Sequence, residues 1–391
     1  MSQLKETVDV AIIGGGVIGL AVARSLGLRG LRNVLLIERT SFGAESSSAA
    51  AGMLAPQAEA DGADDFFDFT CRSRDMYPAF AAALREETGI DIELDTTGTL
   101  YLAFTQDDVL ELEKRYEWQA KAGLAVEEFG PETARLFEPC VAANLRAALR
   151  FPRDMQVENR RLISALASSN EQLGVSLETG TTVTSLRVER GRLAGIETSR
   201  GFVATENVVI ATGAWTSEIA VTNGKGLGEA PSDKVLPSVR IEPVRGQMLC
   251  FESNPRICSH VIYSPRGYLV PRRDGRLLAG STTEHAGFDK RVSAEGVHSI
   301  MSAALEISPQ IGPLPIVDLW AGLRPRAADG LPVLGPCAEI GGLLYATGHY
   351  RNGILLAPIT GELIADAIVD KAVSPLLNMF SPDRFGLVSV D

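Results

Sequence analysis

A mixed fold, α/β at its start and α+β beyond, is predicted for this sequence by three observations. The first 38 residues read strand, glycine turn, helix, strand; Ala/Leu stripes mark helices interspersed with short strands up to about residue 173; and two separate stretches, about 175–211 and 239–283, are dense in strands. With 391 residues and no fixed-period repeat, the chain is long enough for two or three compact units with real cores.

The elements follow in order. Val8–Ile13 is a compact apolar run ending at three glycines, Val17–Leu28 has helical periodicity, and Val34–Ile37 is a second apolar run ending in Glu38. That is a βαβ unit, so the two strands pair in parallel. Ser46 to Met53 is too poor in bulky side chains to be a core element and suits close approach to a ligand. Pro56 to Phe67, with Glu59, Asp61, Asp64 and Asp65, reads as an acidic surface loop. Phe66 to Thr88, Asp107 to Gly123 and Arg160 to Leu173 read as helices, and Gly98 to Phe104 alternates like a strand. The strands Val175–Leu177, Thr182–Arg190, Arg192–Thr198, Gly201–Ala204 and Val208–Ala211 follow. A polar connector, Thr222 to Ser238, separates them from the second strand-rich stretch, which is expected in a different sheet. The chain closes with a strand at Gly342–Thr347 and a helix from Gly353 to Asp370, capped by Asn352.

Composition narrows the function. There are 37 Lys+Arg against 49 Asp+Glu, a net charge of −12, and no basic run, which argues against nucleic acid and anionic membrane as partners. Val10 to Ala23 is uncharged but short and holds four glycines, too little to span a bilayer, and Met1 to Asp9 lacks a positive leader region. Five scattered cysteines without a C-x-x-C pair fit reduced thiols, so a cytoplasmic protein is expected. The His, Cys and carboxylate spacing predicts no metal site.

Gly14-Gly15-Gly16-Val17-Ile18-Gly19 has the form G-x-G-x-x-G between a strand and a helix. Gly14, Gly16 and Gly19 there permit a tight turn, close approach of a pyrophosphate and close helix packing, and the helix N-terminus faces the phosphates. Glu38 ends the second strand about 24 residues after Gly14, where a carboxylate accepts hydrogen bonds from ribose hydroxyls. The reading is a dinucleotide site, and the acid argues against the 2′-phosphate of NADP. The motif itself leaves flavin and nicotinamide open. Three distant segments, Ser46–Met53, Ala211-Thr212-Gly213-Ala214-Trp215 and Gly348–Gly353, read as further contact loops for one long ligand, a length that FAD needs.

These segments, with Trp320-Ala321-Gly322-Leu323-Arg324-Pro325 and the stretch from Gly348 to Pro358, resemble the D-amino-acid oxidase family of flavoproteins over nearly the whole chain. The resemblance implies a Rossmann-like FAD-binding domain, discontinuous over residues 1–90, 150–230 and 325–391, and a substrate-binding domain of 91–149 and 231–324 built on an antiparallel sheet. It implies noncovalent FAD, because related enzymes tether flavin through a cysteine near the position of Leu323 and none stands there. The activity implied is oxidative deamination of glycine, sarcosine and small D-amino acids. Hydride passes from Cα to flavin N5; the products are an imino or 2-oxo acid, ammonia and hydrogen peroxide, with molecular oxygen as acceptor. Thiazole and thiamine biosynthesis is the implied pathway and a homo-oligomer the implied assembly. The alternative is a D-amino-acid dehydrogenase with another acceptor.

By the same resemblance Arg324 clamps the substrate carboxylate. Its planar fork matches a carboxylate, although the residues themselves are equally consistent with a surface ion pair, as expected for Arg326. Tyr268, alternating like a strand residue, matches a second carboxylate contact, and Arg351 a second active-site arginine. Val17 and Ile18 match phosphate contacts; Glu38 and Arg39 match the ribose end; Ser46, Ser47, Ala51, Gly52 and Met53 match the pyrophosphate-to-flavin stretch; and Val183 matches an adenine contact. His349, Tyr350, Arg351, Asn352, Gly353, Ile354 and Leu355 match the loop around the flavin. Arg266 stands where the family often has histidine, which bears on the substrate size accepted.

Overall fold

The computed structural model describes residues 4–223 and 239–386. The expected connector therefore lies, from residue 224 onward, outside the described residues.

Six strands form the first sheet, in the order Val333–Pro336, Leu343–Thr347, Val208–Ile210, Val10–Ile13, Val34–Ile37, Ser176–Glu178. The first is antiparallel and the other five are parallel, with Ile12 paired to Val209 on one side and Leu36 on the other. The continuous apolar runs of the sequence follow from burial of both faces. Val10, Ile12, Val34 and Leu36 point into a core shared with the helices Val17–Leu28, Asn159–Gln172 and Ala357–Val369. Ala11, Ile13, Leu35 and Ile37 point the other way. There they pack on a four-stranded sheet, Gly201–Ala204, Arg192–Thr198, Val183–Glu189, Ala220–Asn223.

The second strand-rich stretch builds an eight-stranded sheet, as expected separate from the first. Its order is Ile316–Ala327, Ile241–Glu252, Arg276–Gly280, Gly267–Pro271, Val261–Ser264, Thr99–Ala103, Ala147–Phe151, Glu127–Phe129. All neighbours are antiparallel except Val261–Ser264 with Thr99–Ala103. Alternation again sorts the side chains. Leu249, Phe251, Leu269 and Leu277 face the helix Ala294–Ile307, while Met248, Cys250, Tyr268 and Val270 face Ala51 and the interior between the sheets.

Three sequence-based boundaries differ from the structure. Ser46–Ala49 is a short helix followed by a short strand, Met53–Leu54, where the sequence reads a contact loop. Pro56–Glu59 is also helical, with Pro56, Gln57 and Ala58 buried, instead of an acidic surface loop. The last helix starts at Ala357, with Leu356 and not Asn352 at its N-cap; one separate turn, in which Leu356 N–H donates to Asn352 O at 2.8 Å, precedes it. Pro358 explains the boundary, since proline is favoured in the first helical turn.

Candidate active site

At the carboxyl ends of the parallel strands the chain turns under the helix Val17–Leu28. Gly14 has φ +107°, and a Cβ on it would sit 2.4 Å from Ala211 O, so only glycine fits the crossing. A Cβ on Gly19 would lie 2.0 Å from Gly14 O, which lets the helix settle onto the turn. Gly15 N–H donates to Glu38 Oε2 at 2.9 Å, while Glu38 Oε1 accepts from Thr40 N–H at 2.9 Å. Glu38 thus stiffens the turn as well as facing the cavity. Ser47 Oγ accepts from Val17 N–H at 3.0 Å, and the first helical turn carries no acidic side chain to compete with an anion. Arg39 lies over the Trp215 ring, 4.0 Å from its centroid, and pairs with Glu45 at 3.1 Å.

The other end is built where the Ser46–Ala49 helix meets the eight-stranded sheet. A Cβ on Gly322 would come 2.6 Å from Ala49 Cβ, Trp320 Nε1–H donates to Ala49 O at 3.0 Å, and Ser46 Oγ–H donates to Leu323 O. Arg324 follows on the same strand. Its guanidinium lies across Gly246, where a Cβ would approach it to 2.3 Å. Nη2 donates to Ser281 Oγ at 2.7 Å and Nη1 to Thr282 O at 3.1 Å. Among the described residues no carboxylate comes within ion-pair distance of Arg324. Tyr268 O–H donates to Met248 Sδ at 3.3 Å, a weak acceptor. The rings of Tyr101, Tyr263 and Tyr268 form a stacked row, with centroids 5.2 and 6.0 Å apart.

Arg351 is placed differently. Its Nη2 donates to Tyr263 Oη at 2.7 Å and to Glu59 Oε1 at 3.3 Å, so its charge is matched. The loop that carries it is tied to the Arg324 strand by Tyr350 N–H donating to Pro325 O at 2.8 Å. His349 is buried, with Nε2 3.1 Å from Thr360 Oγ1, and burial holds its pKa down to about 3, so the ring is neutral.

One cavity of about 470 Å³ joins the two ends. Every residue expected from the sequence to contact cofactor or substrate carboxylate lines it except Gly19, which faces Gly14 instead. The fit to a long dinucleotide is direct: a glycine turn and an anion-free helix N-terminus in the middle, a carboxylate on one side, and small residues leading to the guanidinium on the other. Two expectations are corrected. Arg266 lies outside the cavity, bridging Asp108 at 2.8 Å and Glu306, so it does not set substrate size. Arg326 stands over the Tyr350 ring at 6.0 Å. Glu59 lines the cavity and was missed in the sequence because it sits in a run of acids. Ser281 and Met248, also in the wall, carry no motif at all.

The chain matches the profile of the family DAO, described as FAD dependent oxidoreductase, over residues 9–367. It is 35% identical over 98% of its length to a bifunctional protein ThiO/ThiG from Synechocystis, of which it spans about half, 55%. It is 37% identical to a glycine oxidase of Geobacillus kaustophilus, with 98% of this chain and 99% of that protein covered. The solved structure of a glycine oxidase from Geobacillus kaustophilus superimposes with a TM-score of 0.89, at 36% identity, over 97% of this chain and 99% of that one.

Proposed function

This chain belongs to the FAD dependent oxidoreductase family DAO, and from that membership we propose that it oxidatively deaminates glycine and small amino acids such as sarcosine and small D-amino acids. The observation that carries the reading is Arg324, a guanidinium at the cavity wall held by a hydroxyl and a carbonyl, with no carboxylate partner among the described residues. A small carboxylate is its natural counter-ion. The similarity to proteins named glycine oxidase agrees with it.

A bound FAD would supply the acceptor for a hydride, which carries both electrons of the oxidation. The chain orients the substrate. Arg324 grips the carboxylate, and Tyr268 exchanges its weak bond to Met248 for one to the same group. Orientation of this kind supplies much of the rate. Two groups that would otherwise take a proton are occupied, Glu59 by Arg351 and the neutral His349 by Thr360. The substrate therefore reacts with its amine already deprotonated by solvent, and because the Cα hydrogen leaves with its bonding pair as hydride, no protein base takes it. Gly14, Gly16, Val17, Ile18, Glu38, Arg39, the Ser46–Met53 stretch, Val183 and the His349–Leu355 loop hold the cofactor, and Gly19 holds the turn.

The same proposal includes the domain division 1–90, 150–230 and 325–391 against 91–149 and 231–324. It is supported by the strands of the parallel sheet, which all fall in the first set; those of the eight-stranded sheet fall in the second, save the ends of Ala147–Phe151 and Ile316–Ala327. It includes oxygen as acceptor, a place in thiazole and thiamine synthesis, cytoplasmic residence and a homo-oligomer. No helix among the described residues is long and apolar enough to cross a membrane. The described cysteines form no disulfide, and Ile316, Val317 and Leu319 are exposed at a free sheet edge.

The test is the visible spectrum of the purified protein, its anaerobic bleaching by glycine, sarcosine and D-alanine, and oxygen uptake on turnover. Arg324→Ala is expected to keep its flavin and raise KM, at a cost of about 2–5 kcal/mol in transition-state binding. Unchanged KM, or a protein that takes up no flavin, overturns the reading.

A further inference from the structure

Behind the Arg324 fork, and outside the cavity, lies a second polar cluster centred on Glu284. The segment Ser281–Glu284 runs beside the strand Ile241–Glu252, joined by an antiparallel bridge in which Arg245 N–H donates to Glu284 O at 2.9 Å and Glu284 N–H to Arg245 O at 3.0 Å. The Glu284 carboxylate saturates its surroundings. Oε2 accepts from Arg245 Nε at 3.0 Å and from Arg245 Nη2; Oε1 accepts from Gln247 Nε2 at 2.7 Å and from Thr282 Oγ1. Thr282 Oγ1 in turn accepts from Gln247 N–H at 2.9 Å, and fully buried Gln247 is fixed by Ser293, whose N–H donates to Gln247 Oε1 at 2.9 Å.

This arrangement does two things for a guanidinium that it never touches. The Glu284 carboxylate fixes Thr282, whose carbonyl oxygen holds Arg324 Nη1, and through it the preceding Ser281, whose hydroxyl holds Nη2. It also matches the charge of Arg245, whose carbonyl lies 3.5 Å from Arg324 Nη1, with further help from Asp289 at 3.4 Å. Burial opposes ionisation of Glu284, but the hydrogen bonds from Thr282, Arg245 and Gln247 outweigh it and hold the carboxyl below its ordinary range. We propose that Glu284 is a positioning residue for substrate carboxylate binding: it aims the Arg324 fork through Ser281 and Thr282 and neutralises Arg245, leaving Arg324 the charge that meets the substrate. This rests on the reading of Arg324 as the carboxylate clamp.

The experiment measures acetate binding to the flavin-loaded protein by calorimetry, alongside KM and kcat for glycine, in Glu284→Ala, Glu284→Gln, Arg324→Ala and the double variant Glu284→Ala/Arg324→Ala. Glu284→Ala is expected to weaken acetate binding and raise KM about tenfold. Flavin content and kcat stay within about twofold, since Glu284 lies outside the cavity. Glu284→Gln, which keeps an acceptor for Arg245, recovers part of the loss. In the Arg324→Ala background removal of Glu284 adds nothing further, because its effect passes through that guanidinium. If Arg324→Ala weakens acetate and neither Glu284 variant does, this inference falls while the clamp stands; if Arg324→Ala itself is silent, the clamp falls first. Additive losses in the double variant, or affinity lost in step with flavin, also overturn the positioning role. Should Glu284→Ala not fold, Glu284→Gln decides: a measurable weakening supports the role and parental affinity removes it.

Discussion

Asp154 is fully buried beneath the helix that carries Glu59, with its carboxylate accepting from Gln57 N–H at 3.3 Å and Ala58 N–H at 3.1 Å and lying 3.8 Å from Arg74. Burial pushes its pKa up to about 7, against the pull of Arg74 and the two N–H donors. From about pH 4 to about pH 7 the folded protein therefore holds a proton here that the unfolded chain has released, so stability from this group falls as pH rises through that window and is lowest above it. Asp154→Asn is expected to shrink the difference in Tm between pH 5 and pH 8; an unaltered difference refutes the assignment. Residues of this kind were invisible in the sequence. Arg324 stands out in the sequence only through the Trp320–Pro325 motif and the resemblance it carries, since the residues themselves fit a surface ion pair as well; the cavity wall is where packing puts its guanidinium. Glu59 does not stand out, since a carboxylate among Asp61, Asp64 and Asp65 reads as solvated, and its partner Arg351 is distant in the chain. Only tertiary packing brings them together.

The glycine turn, by contrast, was readable as an element, because each glycine answers a local steric demand. Gly14 and Gly19 meet each other across the turn, so Gly19→Ala forces a methyl against a backbone carbonyl. The expected cost is about 1–3 kcal/mol, seen as a lower Tm and faster flavin loss on dialysis, with KM for glycine unchanged in the loaded fraction. A parental Tm would show that the helix Val17–Leu28 can back away from the turn. The helices Phe66 to Thr88 and Asp107 to Gly123 were placed within about two residues of Asp65–Thr88 and Gln106–Lys121, where Asp64 and Thr105 cap them. Ser46–Ala49 was missed for the opposite reason. Four small residues carry no hydrophobic period, and the helix owes its place to glycine-sized room at Gly322 and to bonds from Trp320 and Ser46.

At the scale of the whole molecule Arg272, almost fully buried beyond the end of the strand Gly267–Pro271, ties the eight-stranded sheet to the Ala51 and Gln156–Val157 segments. Nη2 donates to Ala51 O at 2.7 Å, and Nη1 donates to Val157 O at 2.8 Å and Gln156 Oε1 at 3.1 Å; burial lowers its pKa to about 10 without discharging it at neutral pH. Arg272→Met leaves those carbonyls without donors and is expected to cost about 2–3 kcal/mol, read as a lower denaturant midpoint and weaker flavin retention; a parental midpoint would mean that packing, not these bonds, joins the halves. The sheet that carries the glycine turn also has a consequence for how the protein is made. Its neighbouring strands Val10–Ile13, Val208–Ile210 and Leu343–Thr347 come from the beginning, middle and end of the chain. At ribosomal speeds of about 5–20 residues per second, roughly 15–60 s separate translation of Ile37 from that of Thr347. The open edge of the first βαβ unit is covered once Val208–Ile210 emerges, and the far edge of that strand then stays bare until Leu343–Thr347, the last of this sheet's strands to leave the exit tunnel, completes the floor beneath the coenzyme.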